Sequence, residues 1–251
     1  MKSEDYSPPF TKIGPYYDKL MSFVNYPLWI TYIEKILALN DIRDKEILDL
    51  ACGTGICLEL WAKKGYKVTG IDASPDMLEI SRKRLILYPD AQVIADDMRD
   101  FKLASPVSII TCLYDSCNYL LTDVELYSCF KCVYDNLLKN GIFIFDMNTI
   151  HALEDEWGNQ AFTRKDNSIY STWSNTYDPQ NRISTLKLTL NIYENGSEIV
   201  LRESHQERGY SLAAIGSLLN RTGFLFSLFQ HMTFNPASEN DTRIMGVALK
   251  T

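Results

Sequence analysis

The chain has 251 residues, of which 46% are hydrophobic and 23% charged, a balance typical of an ordinary globular protein. This length suits one large α/β domain with an elaboration. A net charge of −7, with a single short basic stretch at 82–84, argues against a nucleic-acid partner. No apolar run reaches the roughly 18–20 residues of a membrane span, and the opening MKSEDYSPPF is unlike an export signal. We therefore expect a cytoplasmic protein with neither a membrane nor a nucleic-acid partner.

The chain contains six cysteines, an even number that invites a disulfide interpretation. Cys129 and Cys132 form a CxxC pair, but they lie inside a segment that reads as a helix. No second Cys or His pair stands at the spacing of zinc ligands. We expect thiols in the core and no metal site.

Strands and helices alternate over the first 150 residues. An amphipathic helix around 29–37 comes first, because its apolar residues recur at helical spacing. The strands that follow are predicted at 46–50, 67–72, 92–95, 107–113 and 142–145, and the helices between them at 57–64, 75–87 and 123–138. Such alternation predicts a doubly wound sheet of parallel strands.

The pattern changes after Asp146. Alternating residues, aromatics and turn sequences over 162–208 predict an insertion of three or four antiparallel strands, and Asn195-Gly196 is its strongest hairpin signal. A helix at 211–221 ends at Gly223, and two last strands, at 224–231 and 244–249, should pair as an antiparallel hairpin at the sheet edge. We divide the chain into a core, 1–150 with 206–251, and an insertion at 151–205 that acts as a substrate lid.

Acids and glycines follow the predicted strands. Asp49 precedes Gly53 and Gly55, Asp72 ends the second strand, and Asp97 follows the third. In an open α/β sheet, ligands bind at the carboxyl ends of the strands, and an acid about 20 residues after the glycines can hold ribose hydroxyls. Glycines also let the backbone approach a ligand closely. Together these residues predict a site for a nucleoside cofactor.

The glycine turn discriminates between two such cofactors. A dinucleotide fingerprint needs G-x-G-x-x-G, and the third glycine position here is Leu58. The carboxylate of Asp49 would repel a pyrophosphate, but it suits a ligand that carries an ammonium and a sulfonium group. The turn therefore favours S-adenosylmethionine (SAM) over a nicotinamide dinucleotide.

Three segments, LDLACGTG, GIDASPDML and ADDMRDF, resemble in this order the motifs of the class I SAM-dependent methyltransferases. The resemblance covers the whole chain. It implies a Rossmann-like seven-stranded sheet of order 3-2-1-4-5-7-6, with strand 7 antiparallel and an antiparallel β insertion after strand 5. The insertion and the segment at 205–211 also resemble amino-sugar N-methyltransferases and glycine N-methyltransferase-like proteins, in which the insertion roofs the acceptor pocket.

The resemblance implies a set of cofactor-binding residues at the strand ends. They are Asp49, Ala51, Gly53, Asp72, Ala73, Met77, Asp97, Met98 and Leu113. Among them, Asp72 would hold the ribose hydroxyls and Asp97 the adenine amine, a role that Asp96 could take instead.

Three further residues are candidates for catalysis. Tyr17 lies in a YDxL-like element whose tyrosine closes over the cofactor in small-molecule methyltransferases, although it could equally pack the leading helix. His205, flanked by acids, is the best histidine for a general base, with a purely structural role as the alternative. Asn118 could orient the acceptor, as could Tyr114, Asp115 and Tyr119 beside it. This segment lacks the (D/N)PPY motif, which argues against methylation of a planar amide or base.

The sequence therefore predicts an enzyme that transfers a methyl group from SAM to an amine or hydroxyl of a small molecule by in-line displacement. Two alternatives stay open: a protein that binds SAM or S-adenosylhomocysteine (SAH) without turnover, and a NAD-type nucleotide enzyme. The sequence gives neither the acceptor nor the oligomeric state.

Overall fold

A computed structural model describes residues 5–166, 168–194 and 196–251. The helices are α1 (Gly14–Leu20), α2 (Tyr26–Leu39), α3 (Ile56–Lys63), α4 (Pro75–Arg84), α5 (Asp123–Asn136) and α6 (Leu212–Thr222). The strands are β1 (Glu46–Leu50), β2 (Lys67–Asp72), β3 (Gln92–Ala95), β4 (Val107–Cys112), β5 (Leu137–Asn148), β6 (Ala161–Asp166), β7 (Ile169–Asp178), β8 (Ile183–Glu194), β9 (Ser197–Arg208), β10 (Leu225–Gln230) and β11 (Arg243–Leu249). A short 3-10 turn spans Ser116–Tyr119, and a π-helical turn spans Ala152–Trp157.

The main sheet has seven strands in the order β10-β11-β5-β4-β1-β2-β3. The strands from β1 to β5 pair in parallel, whereas β11 runs antiparallel to both β5 and β10. This order confirms the predicted 3-2-1-4-5-7-6 arrangement with strand 7 antiparallel. Strand β5 is longer than the predicted 142–145 at both ends, because Leu137 already pairs with Val107 of β4 and β11 pairs with β5 as far as Asn148.

Both faces of this sheet are buried. One face packs against α5 and α6 around Phe130, Phe143 and Phe145, and the other against α2 and α3 around Ile33 and Trp61. Burial on both sides explains why β4 and β5 read as nearly continuous apolar runs. The carboxyl ends of β1, β2 and β4 border a cavity.

The insertion forms a separate antiparallel sheet in the order β6-β7-β8-β9. Strands β8 and β9 pair along their whole length, from Ile183 opposite Arg208 to Glu194 opposite Ser197, which confirms the predicted hairpin. Of the turn signal itself, Asn195 lies outside the described residues. Leu188 and Leu190, on the inner face of this sheet, pack against α4 and against residues 10–13, which precede α1 and which we call the leading segment. The sheet therefore covers the carboxyl ends of the core strands.

All six cysteines are free and five are buried, which confirms the prediction of core thiols. Across the described part of the chain, no helix is both long and apolar enough to cross a membrane.

Candidate active site

The turn after β1 is shaped by left-handed backbone. Ala51, Gly53 and Gly55 have φ angles of 53°, 54° and 79°. A Cβ on Gly55 would lie 2.4 Å from Oγ of Ser81, so glycine is required there for α3 to pack on α4. A Cβ on Gly53 would have no heavy atom within 4 Å. The backbone at Gly53 therefore borders open space, as a turn that approaches a ligand should.

Asp72 joins this turn to the end of β2. Its Oδ2 accepts a hydrogen bond from the backbone N–H of Gly53 at 2.8 Å, and its Oδ1 one from Ser74 at 2.8 Å. Burial raises the pKa of Asp72, while the hydrogen bonds from Ser74, Gly53 and Ala73 act against that rise. Because each carboxylate oxygen has two lone pairs, both can still accept a ribose hydroxyl.

Asp49 is buried one residue before the end of β1. Its Oδ1 accepts a hydrogen bond of 2.6 Å from the hydroxyl of Thr111, the residue opposite it on β4. Burial raises the pKa of Asp49 to about 7; the Thr111 hydrogen bond lowers it and the charge of Asp72 raises it further. A buried carboxyl group with such a pKa can release its proton when a positively charged group of a ligand binds beside it.

One cavity of about 880 Å³ joins these groups. Its wall includes all nine residues that the resemblance implied for the cofactor, together with Tyr17 and His205. This cavity suits SAM. The buried carboxyl group of Asp49 and the open space above Gly53 suit its amino-acid part, and the free lone pairs of Asp72 suit its ribose.

Asn118 is not brought to this cavity. The side chain is fully buried, and its Nδ2 donates to the carbonyl oxygens of Asn148 and Arg208, each at 2.9 Å. Its Oδ1 accepts from the backbone N–H of Asn148 at 2.9 Å. The structure thus corrects the predicted acceptor contact: Asn118 links the 3-10 turn to β5 and β9.

Asp96 and Asp97 both border the cavity at the end of β3. Arg99 binds Asp97 with an Nη2 to Oδ2 distance of 2.6 Å, and this hydrogen bond lowers the pKa of Asp97 despite its partial burial. Oδ1 of Asp96 accepts the backbone N–H of Asp97 at 2.9 Å. An adenine amine would therefore compete with Arg99 for Asp97, and the choice between the two acids stays open.

The chain before α1 crosses the cavity and is held by Glu203 of β9. This buried carboxylate accepts backbone N–H groups from Phe10 at 2.7 Å, Lys12 at 2.6 Å and Ile13 at 3.0 Å. Burial acts to raise the pKa of Glu203, but the contact with His205 and these backbone hydrogen bonds outweigh it and lower the pKa. The partners are about 190 residues apart, so nothing local in the sequence indicates this attachment.

Aromatic rings cover the site from this side. The ring of Phe10 lies 5.9 Å from Tyr17, 5.3 Å from Tyr119 and 4.9 Å from His205, measured between centroids. Burial, and then the negative groups nearby, raise the pKa of Tyr17 well above its ordinary value, so its hydroxyl stays protonated. These rings give this side of the cavity an apolar surface.

His205 is buried on β9 with both ring nitrogens next to protein groups. Nδ1 lies 2.9 Å from the hydroxyl of Tyr119, and Nε2 lies 3.2 Å from Oε2 of Glu203. The ring can therefore influence an acceptor through Tyr119, whose hydroxyl group belongs to a residue of the cavity wall.

Close to Tyr119, the cavity wall carries two carboxyl groups, Asp115 and Glu207, which we call the acid wall. Beneath it, Arg243 of β11 binds Asp115 at 2.8 Å and Asp146 at 2.6 Å. Asp146 also accepts the backbone N–H groups of Tyr114 at 2.6 Å and Asp115 at 3.0 Å. These two residues have φ angles of 60° and 54°, an uncommon conformation that functional sites often stabilise.

Glu207 is the buried member of the acid wall. Its Oε2 accepts a hydrogen bond of 2.9 Å from Nδ2 of Asn148. Burial, followed by the charge of Asp115, raises the pKa of Glu207 well above its ordinary value. Glu207 is not among the residues that the sequence predicts for the site, although a period-2 pattern places Glu203, His205 and Glu207 on one face of β9.

The sheet order, with a cavity at the ends of β1, β2 and β4, is that of the class I SAM-dependent methyltransferase fold. Residues 47–141 match a family model described as a methyltransferase domain. The matched stretch contains the glycine turn, Asp72 and Asp97. The chain is therefore similar to the SAM-dependent methyltransferases of class I in its fold and in this domain.

Individual relatives agree with this assignment. A provisionally named methyltransferase of Geobacillus sp. (strain WCH70) is 28% identical over 241 residues, which cover 94% of this chain and 97% of that protein. The dTDP-3-amino-3,4,6-trideoxy-α-D-glucopyranose N,N-dimethyltransferase of Streptomyces venezuelae is 34% identical over 121 residues, about half of each chain (48% and 50%). A SAM-dependent methyltransferase structure from Clostridium acetobutylicum has the same fold, with a TM-score of 0.86 and 24% identity over 95% of this chain and 97% of that one.

Proposed function

We propose that this methyltransferase acts on an amine of a small molecule. The observation that carries the proposal is the acid wall, which faces the same cavity as the nine cofactor residues. Two carboxyl groups at that position attract an ammonium group, whereas a neutral hydroxyl acceptor has no need of them. The relative from Streptomyces venezuelae, named as an N,N-dimethyltransferase of an amino sugar, supports an amine acceptor.

The cofactor would be held at both ends of the glycine turn. Asp49 would bind its ammonium group, Gly53 would let it lie against the backbone, and Asp72 would accept the ribose hydroxyls. When bound, SAM supplies an electrophilic methyl group for in-line displacement by the acceptor. The chain then has to place the acceptor, free its nitrogen lone pair and exclude water.

Glu207 is suited to prepare the acceptor nitrogen. Its raised pKa makes the carboxylate a stronger base than an ordinary glutamate, so it can take a proton from an ammonium group. Asp115, fixed by Arg243, would hold the same nitrogen in place. His205 and Tyr17 are further candidates near the acid wall, where Tyr119 would connect His205 to the acceptor.

The insertion at 151–205 would act as the lid over the acceptor, although its sheet continues to Arg208 before the chain returns to the core. Six free cysteines are typical of a reducing compartment and support a cytoplasmic location as part of the proposal.

The acceptor class is testable by SAH release with matched compounds. We would offer amino sugars and aliphatic amines beside the alcohols that replace each amine by a hydroxyl group. The proposal expects SAH release from amines and none above background from the matched alcohols. Release from the alcohols alone would contradict an amine acceptor. Binding of SAH without turnover of any compound would favour a protein that binds the cofactor only.

A further inference from the structure

The mouth of the cavity is built from aromatic rings and one arginine. Arg164 and Phe162 lie on β6, Trp173 on β7 and Phe23 between α1 and α2, and all four border the cavity. Phe162 and Trp173 stack with centroids 5.9 Å apart and planes inclined by 8°. We call these four residues the mouth cluster.

The guanidinium group of Arg164 lies among the three rings of this cluster. The guanidinium carbon lies 5.0 Å from the centroid of Phe23, 5.1 Å from Phe162 and 5.9 Å from Trp173. Such cation–π contacts provide no hydrogen-bond acceptor for the N–H donors of the guanidinium group. Among the described residues, no carboxylate lies within 4 Å of Arg164 and none of its side-chain donors has a hydrogen-bond acceptor.

The other charges in the cavity make this arginine unusual. Seven acidic residues and three arginines border the cavity. Arg99 is paired with Asp97 and Glu125, and Arg243 with Asp115 and Asp146. Within the described chain, Arg164 is therefore the cavity arginine without an acidic partner, although carboxyl groups are abundant in the same wall. A free planar fork of donors is the arrangement that binds a phosphate or a carboxylate.

Arg164 and Glu207 of the acid wall lie on the two outer strands of the antiparallel sheet. Arg164 belongs to β6 and Glu207 to β9, with β7 and β8 between them. Arg164 is in register with Leu201 of β9, six residues before Glu207. Three interstrand spacings and this offset along the strand amount to a span of about 24 Å in a flat sheet. A compound held by both groups would be extended, with its amine at β9 and its negative charge at β6.

We propose that Arg164 and the mouth cluster bind an anionic group, a phosphate or a carboxylate, at the far end of an extended amine acceptor. This inference rests on the proposed function for its amine end. The anion site itself is defined by Arg164 alone and can be tested without turnover.

The test is titration calorimetry with inorganic pyrophosphate and, separately, citrate, run with and without SAH. Arg164→Gln removes the guanidinium group, and Lys165→Gln is the matched control. Lys165 is the next residue on β6, stacks on Tyr170 and does not border the cavity, so the control removes an equal charge nearby. We expect Arg164→Gln to weaken binding about tenfold or more and Lys165→Gln to change it less than about twofold. Arg164→Lys should restore only part of the affinity, since an ammonium group lacks the planar fork.

The two anions distinguish the chemistry of the group. Binding of pyrophosphate alone would identify a phosphate, and binding of citrate alone a carboxylate, each provided that Arg164→Gln abolishes it. Equal losses in Arg164→Gln and Lys165→Gln, or no binding of either anion at millimolar concentration, would overturn the site. Failure of the proposed function would show differently, as absence of SAH release from every amine while the anion titration keeps its dependence on Arg164.

Discussion

At the scale of single residues, Asp49 carries a stability cost that the cofactor can offset. Its pKa in the folded chain, about 7, lies above its ordinary value of 3.8. The unfolded chain therefore ionises first, and this group makes the free protein less stable as the pH rises through the range between those values. A bound ammonium group would favour the ionised form and reverse that effect.

This linkage predicts how cofactor binding depends on pH. SAM should bind about tenfold more weakly at pH 5.5 than at pH 7.5, because binding below pH 7 has to expel a proton from Asp49. Calorimetry in two buffers of different ionisation enthalpy measures that proton. The control is Asp49→Asn, which should bind SAM weakly at both pH values and, without the cofactor, be roughly 1–3 kcal/mol more stable at pH 8. Affinity of the parent protein that is constant with pH would show that Asp49 does not hold the ammonium group.

The two glycines of the turn should respond differently to alanine. Gly55→Ala places a Cβ 2.4 Å from Oγ of Ser81 at a φ of 79°, and should lower the free energy of unfolding by about 2–4 kcal/mol. Gly53→Ala enters open space at a φ of 54° and should cost only about 1–2 kcal/mol, yet weaken SAM binding. Urea denaturation and calorimetry on both variants test this pair. Equal stability losses would be inconsistent with the packing described for Gly55.

At the scale of elements, much of the fold could be predicted because the signals are local. The strands are predicted by apolar runs that end at Asp49 and Asp72, and the insertion by the turn sequences after Asp146. Each of these signals depends only on neighbouring residues in the chain. The acid wall and the attachment of the first segment could not be predicted in this way. The first depends on the ion pair of Arg243 with Asp115, and the second on the hydrogen bond from Phe10 to Glu203. Both contacts form only when the two sheets have assembled.

The attachment of the leading segment predicts a local change in stability. Glu203→Gln weakens the three backbone hydrogen bonds to residues 10–13, and should speed proteolytic cleavage before α1 about tenfold while the core stays folded. Glu198→Gln, an exposed substitution on the same strand, is the control. Mapping of the first cleavage sites by mass spectrometry gives the result. Cleavage first in the core, or equal rates in both variants, would argue against the attachment.

At the scale of the whole molecule, the cofactor should stabilise the complete fold. Its site joins β1, β2 and β4 beneath the insertion, so unfolding of the core destroys it. At a hundred times its Kd, SAM or SAH should add about 2.7 kcal/mol to the free energy of unfolding. Thermal denaturation at increasing SAH concentration measures this gain, and NAD is the control. Stabilisation by NAD instead would point to a nucleotide enzyme of another class.

The central claim is that a nitrogen atom held at the acid wall receives the methyl group. Its most direct test is transfer from SAM with a trideuterated methyl group to an accepted amine, with the labelled position read by mass spectrometry. We predict label on nitrogen, and a turnover number about 10²–10⁴ lower in Glu207→Gln with SAH binding unchanged. Label on oxygen, or full turnover in Glu207→Gln, would contradict this account.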